Sequence, residues 1–167
     1  SIMVRSRCSV VIAPPAMTTE QRLRTMIALR ATVLCSTPTY AIRMAEAAQA
    51  AGIDLASSDI RITVHAGEPG ASVPATRNVI EHALGARCFD HTGMTELGPT
   101  GVSCAARDGV HLIESEFVFE VRDDTGMVHS LPDKGTISGE LVATNLGRWG
   151  SPLIRYRTGD RVEVTRA

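Results

Sequence analysis

The sequence FDHTGMTE at residues 89–96 says most about this chain, because a short strand pattern runs directly into a polar turn there. The strand pattern covers residues 86–89, and Gly93 and Gly98 bracket the turn. Within the turn, Thr95 offers a hydroxyl and Glu96 a carboxylate, the two groups that can hold a phosphate oxygen and its Mg²⁺. Ligands of open α/β sheets bind beyond the strand ends, so the position suits a nucleotide site.

A second glycine-containing motif, YRTGD, lies further along the chain at residues 156–160. It follows a strand-like run at residues 153–156 and ends on Asp160. An aspartate in such a turn can accept hydrogen bonds from both hydroxyls of a ribose. Taken by itself, the Gly-Asp pair favours the plainer interpretation of an ordinary turn.

The patterns of the two halves of the chain predict different elements. In the first half, Thr18 with Gln21 forms a capping-box pattern that opens a helix, and Thr37 with Pro38 opens another. Helices that alternate with strands indicate parallel pairing with right-handed crossovers, whereas the second half contains strands and turns. We therefore predict an α/β fold, with a parallel β-α-β half at residues 1–108 running into a mostly antiparallel β half at residues 109–167. The predicted strands lie at residues 32–35, 60–65, 87–89, 110–113, 117–122, 137–144, 153–156 and 162–164, with a third helix at 74–84, a hairpin turn at 123–126 and a short apolar run at 9–13.

Five segments form an ordered series over nearly the whole chain. They are VLCSTPTYA at residues 33–41, AGEP at 66–69, DHTGMTELG at 90–98, GELV at 139–142 and IRYRTGD at 154–160. This order resembles that of the phenylacetate–CoA ligases. The resemblance implies an internal segment of the large N-terminal domain of an aryl-CoA ligase in the acyl-adenylate-forming, AMP-binding superfamily.

The resemblance also implies a reaction and its cofactors. Members of this family activate a carboxylic acid with ATP to an acyl-AMP, releasing pyrophosphate, and then transfer the acyl group to the thiol of coenzyme A. By resemblance the catalytic residues are Thr95, which would contact the α-phosphate, and Glu96, which would coordinate Mg²⁺. Asp160 would hold the ribose. The remaining nucleotide contacts fall on Gly67, Glu68 and Pro69, which match the loop that lines the adenine, and on Thr92, Gly93 and Met94.

The acyl pocket of the family is built from three of these segments. In this chain the matching positions are Tyr40, Ala41, His65, Ala66 and Gly93. An aromatic ring can lie flat against Gly93 and Ala66 because neither projects bulk, so an aryl acid fits the resemblance. Tyr40 and Ala41 have an alternative interpretation, as core residues of an amphipathic helix.

The chain departs from the family in ways that bear on catalysis. Thr92 stands where most relatives carry a tyrosine, so the ring that would stack on adenine is missing. The chain has no Ser/Thr/Gly-rich phosphate loop followed by lysine, and its one lysine, Lys134, lies in a predicted turn. Nothing after Ala167 would supply the small C-terminal domain and its catalytic lysine. We therefore expect the 167 residues alone to complete no adenylation cycle.

The four cysteines contain no Cys-x-x-Cys pair. Cys104 differs from the others because His111 follows across a predicted turn. Phenylacetate–CoA ligase relatives often carry two more cysteines beyond the Thr-Gly-Asp motif, so the resemblance makes Cys104 and His111 half of a structural zinc site. Structural zinc takes four protein ligands, and two are present here.

Composition excludes several classes of function. A formal net charge of −1 and 4% aromatic residues give neither a basic patch nor stacking platforms for nucleic acid. No run reaches the roughly 20 apolar residues needed to cross a bilayer, and residues 1–7 lack a signal-peptide core. We expect a cytoplasmic protein whose partners are an aryl acid, ATP and coenzyme A, without nucleic acid or membrane. A homodimer is compatible with the sequence.

Two hypotheses follow. In the first, the chain is the nucleotide-binding core of an AMP-forming aryl-CoA ligase. In the second, it is a shortened, non-catalytic relative that binds a nucleotide or a partner, which would explain the missing lysines. Within the enzymes, an adenylating enzyme that loads a carrier-protein thiol is the alternative, because the residues present concern only the first half-reaction.

Overall fold

A computed structural model of the protein describes residues 16–68 and 70–166. The described residues form two compact units, which divide between Cys88 and Phe89. The division falls within one strand, Arg87–Met94. The subdomain boundary at 108/109 stays a prediction.

The described part of the first unit contains three helices and two complete strands, in the order α1 (Thr19–Ala28), β1 (Val33–Ser36), α2 (Pro38–Ala50), β2 (Ile62–His65) and α3 (Pro74–Leu84). It ends in the first residues of β3 (Arg87–Met94). The predicted capping box is confirmed, with the Gln21 N–H donating to the Thr18 hydroxyl at 3.2 Å and the Thr18 N–H donating to Gln21 at 2.8 Å. Thr37 caps α2, and Gly85 ends α3 in the left-handed conformation, at φ 63°.

The core of the first unit lies between its helices and its parallel strands. β1 and β2 pair in parallel, with Val33 opposite Ile62 and Ser36 opposite His65. Each helix contributes a buried side chain to this core, at 2% exposure or less: Leu23 from α1, Met44 from α2 and Ile80 from α3. Each such burial stabilises the fold by about 1.5–3 kcal/mol.

The second unit is antiparallel. β3 turns back into β4 (Gly98–Val102), which pairs with β5 (His111–Leu112). A four-stranded sheet has the order β7-β6-β8-β9, with β6 at Phe117–Arg122, β7 at Val128–Ser130, β8 at Gly135–Asn145 and β9 at Tyr156–Arg166. Parallel pairing in the first unit and antiparallel pairing in the second confirm the predicted fold class.

The second unit has its own core, formed by side chains from the β3–β4 turn and from β6 and β8. Leu97 belongs to the turn, Phe117 and Phe119 to β6, and Leu141 and Ala143 to β8. The two phenylalanine rings are tilted, with their centroids 5.5 Å apart. The turn that carries Thr95 and Glu96 is therefore tied to the sheet by an apolar side chain.

Several predicted elements have different bounds. The strand predicted at residues 87–89 continues to Met94, and the strands predicted at 153–156 and 162–164 are replaced by the single strand β9. The sequence patterns missed the strands β4 and β7. The hairpin turn at 123–126 is confirmed, with the Gly126 N–H donating to the Asp123 carbonyl at 3.0 Å. The apolar run at 9–13 lies outside the described residues.

Within the described part of the chain, none of the helices is long and apolar enough to cross a membrane.

Candidate functional site

The turn between β3 and β4 presents two side chains to solvent and buries the next. Thr95 and Glu96 are exposed, whereas Leu97 is 2% exposed. Gly98 closes the turn at φ 84°, a conformation that favours glycine. Adjacent residues thus present a hydroxyl and a carboxylate on an anchored turn, and their contact with a phosphate and its cation stays a prediction.

The two strands that flank this turn approach each other closely. A Cβ at Gly93 would lie 2.7 Å from the carbonyl oxygen of Gly98, so glycine is required where the pairing shifts between Thr92 and Gly93. The Thr92 and Thr100 hydroxyls are 3.1 Å apart, and Thr100 is buried. Thr92 therefore stabilises the hairpin. Met94, the last residue of β3, packs against the core of the second unit.

Asp160 lies on a bulge in β9, and this corrects the predicted turn. Glu140 is opposite Arg161 and Val142 is opposite Arg157, so three residues of β9 face the one residue between them. The Thr158 hydroxyl donates to the Leu141 carbonyl at 2.9 Å and accepts the Asp160 N–H at 3.1 Å. Gly159 has φ 79°. The bulge leaves the Asp160 carboxylate exposed.

Two ion pairs hold the chain just before this bulge. Arg157 contacts the Glu140 carboxylate at 2.8 Å, and Arg155 contacts Glu120 through two hydrogen bonds of 2.6 and 2.8 Å. These guanidinium groups lower the pKa of both glutamates. Such bidentate pairs add geometric specificity, so they fix the strand that carries Asp160.

In the first unit, Glu68 has a structural partner. Its carboxylate accepts the backbone N–H of Thr39 at 3.0 Å, at the first turn of α2. Hydrogen bonds from Thr39 and then from the Thr37 side chain lower the pKa of Glu68. Gly67 is at φ 93°, and Pro69 lies outside the described residues. The loop is thus bound to the helix N-terminus through its acidic side chain.

The predicted acyl-pocket residues of the first unit differ in exposure. Ala41 is fully buried in the core, which agrees with the alternative interpretation of that residue. Tyr40 is half-buried; its hydroxyl accepts a hydrogen bond from Arg22 at 3.2 Å, and the same guanidinium lies 5.6 Å from the ring centroid. Ala66 is partly exposed. The contacts of these residues with an acid stay a prediction.

His65 is fully buried at the end of β2. Its Nδ1 lies 3.1 Å from the Ser36 carbonyl oxygen and 3.4 Å from the Ser36 hydroxyl, at the end of the paired strand β1. A protonated Nδ1 can donate to that carbonyl. The imidazole therefore ties together two strand ends, where the sequence predicts contact with the acid.

Cys104 and His111 are brought together as the sequence predicts. A hydrogen bond from His111, followed by those of the Ala106 and Arg107 backbone, lowers the pKa of Cys104 to about 7. The thiol is exposed. In the described residues no group of three or more His, Cys, Asp or Glu could hold a metal ion, and a zinc site at this pair stays a prediction.

Arg148 contacts the β3–β4 turn, and sequence patterns gave no sign of it. Its guanidinium donates a hydrogen bond to the Glu96 carbonyl across 52 residues of chain. The arginine lies between Gly147 and Gly150 in the loop that joins β8 to β9.

No protein-family model matches the chain. Over 151 residues it is 34% identical to a phenylacetate-coenzyme A ligase of Thermus thermophilus, covering 88% of this chain and 33% of that protein. Over 146 residues it is 32% identical to a phenylacetate-coenzyme A ligase of Pseudomonas putida, covering 85% of this chain and 32% of that protein. Among solved structures, an open conformation of 2-hydroxyisobutyryl-CoA ligase in complex with 2-HIB-AMP and CoA aligns with a TM-score of 0.80 and 28% identity. That alignment covers 90% of this chain and 35% of the ligase.

The fold is that of an adenylate-forming ligase domain. Within that class, the chain is a relative of the phenylacetate–CoA ligases. It spans about a third of the length of the curated relatives that it matches, at 32% and 33%.

Proposed function

We propose that this chain is the nucleotide-binding core of an enzyme that activates an aryl, phenylacetate-like carboxylic acid with ATP and transfers the acyl group to coenzyme A. The observation that carries the proposal is the exposed Thr95–Glu96 pair on an anchored turn, in a chain similar to phenylacetate–CoA ligases. The solved relative with an acyl-AMP and CoA supports the same chemistry.

The nucleotide roles follow from the groups that each side chain offers. The Thr95 hydroxyl would contact the α-phosphate, and the exposed Asp160 carboxylate would accept hydrogen bonds from the ribose. Because the Glu68 carboxylate is engaged with α2, the adenine would meet the backbone of this loop, where Gly67 presents no side chain. Thr92, Gly93 and Met94 would form the strand beside the nucleotide.

Two metals enter the proposal on different grounds. Mg²⁺ is bound through one or two carboxylates together with substrate phosphates and water, so the exposed Glu96 suits it without further protein ligands. There the ion would offset charge on the phosphates. Zinc would be held by Cys104 and His111 with two more ligands from elsewhere, since a structural site takes four.

The acid would lie against residues of small volume. From the family resemblance we propose that the acid contacts Ala66 and Gly93, neither of which projects bulk, together with Tyr40, Ala41 and His65. A cytoplasmic location is proposed as well, because the exposed Cys35 and Cys104 are present as thiols, as expected in a reducing compartment.

A non-catalytic nucleotide-binding role is the second candidate, since the one lysine of the chain, Lys134, is in a turn. Loading of a carrier-protein thiol in place of coenzyme A also agrees with the residues present. Coenzyme A and a carrier-protein thiol are distinguished as acceptors by measuring acyl transfer to each of them after adenylation.

The decisive measurement is aryl-acid-dependent exchange of labelled pyrophosphate into ATP. It should be run on the longest natural form of this protein and on the 167-residue chain. Exchange by the longer form alone would support an adenylating enzyme with this chain as its nucleotide-binding core. Binding of AMP by a folded protein without exchange in either form would favour the non-catalytic role, and binding of no nucleotide would contradict both.

A further inference from the structure

We propose that Arg148 is a positioning residue for the predicted magnesium ligand Glu96. The inference rests on the proposed function, because it takes Glu96 as the group that meets Mg²⁺. It goes beyond that function by assigning a role to a loop outside the five segments on which the family resemblance rests.

The turn that carries Glu96 is restrained at two neighbouring points. Arg148 donates to the carbonyl oxygen of Glu96, and the next side chain, Leu97, is buried in the core of the second unit. One contact restrains the peptide group between residues 96 and 97, and the other restrains the residue that follows. Together they fix the direction in which the exposed carboxylate of Glu96 leaves the backbone.

The loop that carries Arg148 is held by its own hydrogen bonds. Asn145 closes this loop: its side-chain oxygen accepts the Leu153 N–H at 3.1 Å, and its amide donates to the Ser151 carbonyl at 3.4 Å. The Ser151 N–H donates to the Arg148 carbonyl at 3.1 Å. The backbone that presents the guanidinium is therefore held from within the loop.

The loop and the turn both line a cleft of about 390 Å³. The turn contributes Leu97 and Gly98 to its lining, and the loop contributes Gly147 and Arg148. The Leu146 N–H donates to the Glu116 carbonyl at 2.9 Å, which anchors the loop to the start of β6. Arg148 joins the loop to the turn, so its removal should leave the turn less restrained while Leu97 keeps it attached to the core.

The test compares Arg148→Ala and Arg148→Lys with Arg24→Ala, which removes the same charge from an exposed i,i+4 pair on α1. Two titrations are made, AMP without divalent ions and ATP at fixed concentration with increasing Mg²⁺. Groups that orient metal ligands typically contribute 10- to 100-fold to metal affinity, so Arg148→Ala should raise the half-saturating Mg²⁺ concentration about tenfold or more. Affinity for AMP should change less than twofold, and Arg148→Lys should recover part of the Mg²⁺ effect.

A readout without ligand checks the contact itself. The amide of Leu97 shares its peptide group with the Glu96 carbonyl, so its ¹⁵N and ¹H shifts should move in both Arg148 variants and stay in place in Arg24→Ala. Equal losses of AMP affinity, Mg²⁺ response and melting temperature would overturn the positioning role in favour of a structural one. Unchanged Mg²⁺ titrations in Arg148→Ala, with wild-type binding intact, would overturn the inference alone. A folded wild type that binds neither nucleotide would overturn the proposed function and the inference with it.

Discussion

The carboxylate of Glu68 caps helix α2, with Oε1 accepting the backbone N–H of Thr39 at 3.0 Å. The two residues lie 29 positions apart, so this contact ties the loop after β2 back to the helix after β1. Negative charge at a helix N-terminus is stabilising because the backbone N–H groups there point outward. The acidic residue of the predicted adenine loop thus has a structural task.

We expect Glu68→Ala to lower the melting temperature by a few degrees, because the Thr39 N–H at the α2 N-terminus loses its acceptor. Glu46→Ala, an exposed glutamate on the same helix, is the matched control and should leave the melting temperature unchanged. AMP affinity should fall less in Glu68→Ala than in Asp160→Ala. A loss of AMP affinity without any loss of stability would contradict the capping role.

Asp160→Ala should weaken AMP binding by about one to two orders of magnitude, because charge-assisted hydrogen bonds to a ribose contribute about 1.5–3 kcal/mol. The bulge that carries Asp160 is held by Thr158 and Leu141, so the variant should keep its fold. Isothermal calorimetry measures the effect, with Asp133→Ala as a control in an exposed turn. Equal AMP affinity of wild type and Asp160→Ala would contradict the proposed contact of Asp160 with the ribose.

Local chemistry explains what the sequence could predict. The start of α1 can be predicted from Thr18 and Gln21, and the end of α3 from Gly85, because capping depends on neighbours within one helical turn. The exposed Thr95 and Glu96 follow from a polar turn between two glycines in the same way. These features need no knowledge of the distant chain.

Pairing with distant residues determined the features that the sequence patterns did not predict. The polar residues from Asp90 to Thr92 give no strand pattern, yet β3 continues through them because it pairs with β4. The Gly159 motif predicts a turn, but pairing with β8 makes it a bulge. The contact of Arg148 with Glu96 spans 52 residues, beyond any local pattern.

Gly93→Ala should destabilise the second unit by about 1–3 kcal/mol, the range for an added methyl group that forces a backbone shift. The new Cβ would lie 2.7 Å from the Gly98 carbonyl oxygen and 3.0 Å from the Pro99 Cα. Gly150→Ala is the matched control, since its Cβ would meet no atom within 4 Å. Urea unfolding of both variants gives the comparison, and a Gly93→Ala variant as stable as Gly150→Ala would refute the close approach.

Acid should loosen the hairpin between β6 and β7 through Asp123. Hydrogen bonds from Thr125 and His129 hold the pKa of this carboxyl well below its ordinary value. Because the folded-state pKa is the lower one, its contribution to stability is complete above about pH 4 and is lost as the pH falls further. Unfolding of Asp123→Asn should therefore depend less on pH between about pH 4 and 2 than that of wild type. Asp133→Asn, in the next turn, should retain the wild-type slope.

Cys104 should react as a thiolate at neutral pH when the protein is free of metal. The hydrogen bond from His111 and two backbone donors lower the pKa of the thiol from 9.0 to about 7, so alkylation by iodoacetamide should rise with a midpoint near pH 7. In His111→Ala the midpoint should move toward 9.0, and labelling at pH 7 should slow accordingly. Cys35, which is also exposed, serves as the internal comparison when labelling is followed peptide by peptide. An identical midpoint in wild type and His111→Ala would show that the imidazole leaves the thiol unaffected, and would remove the support for a shared metal site at these two residues.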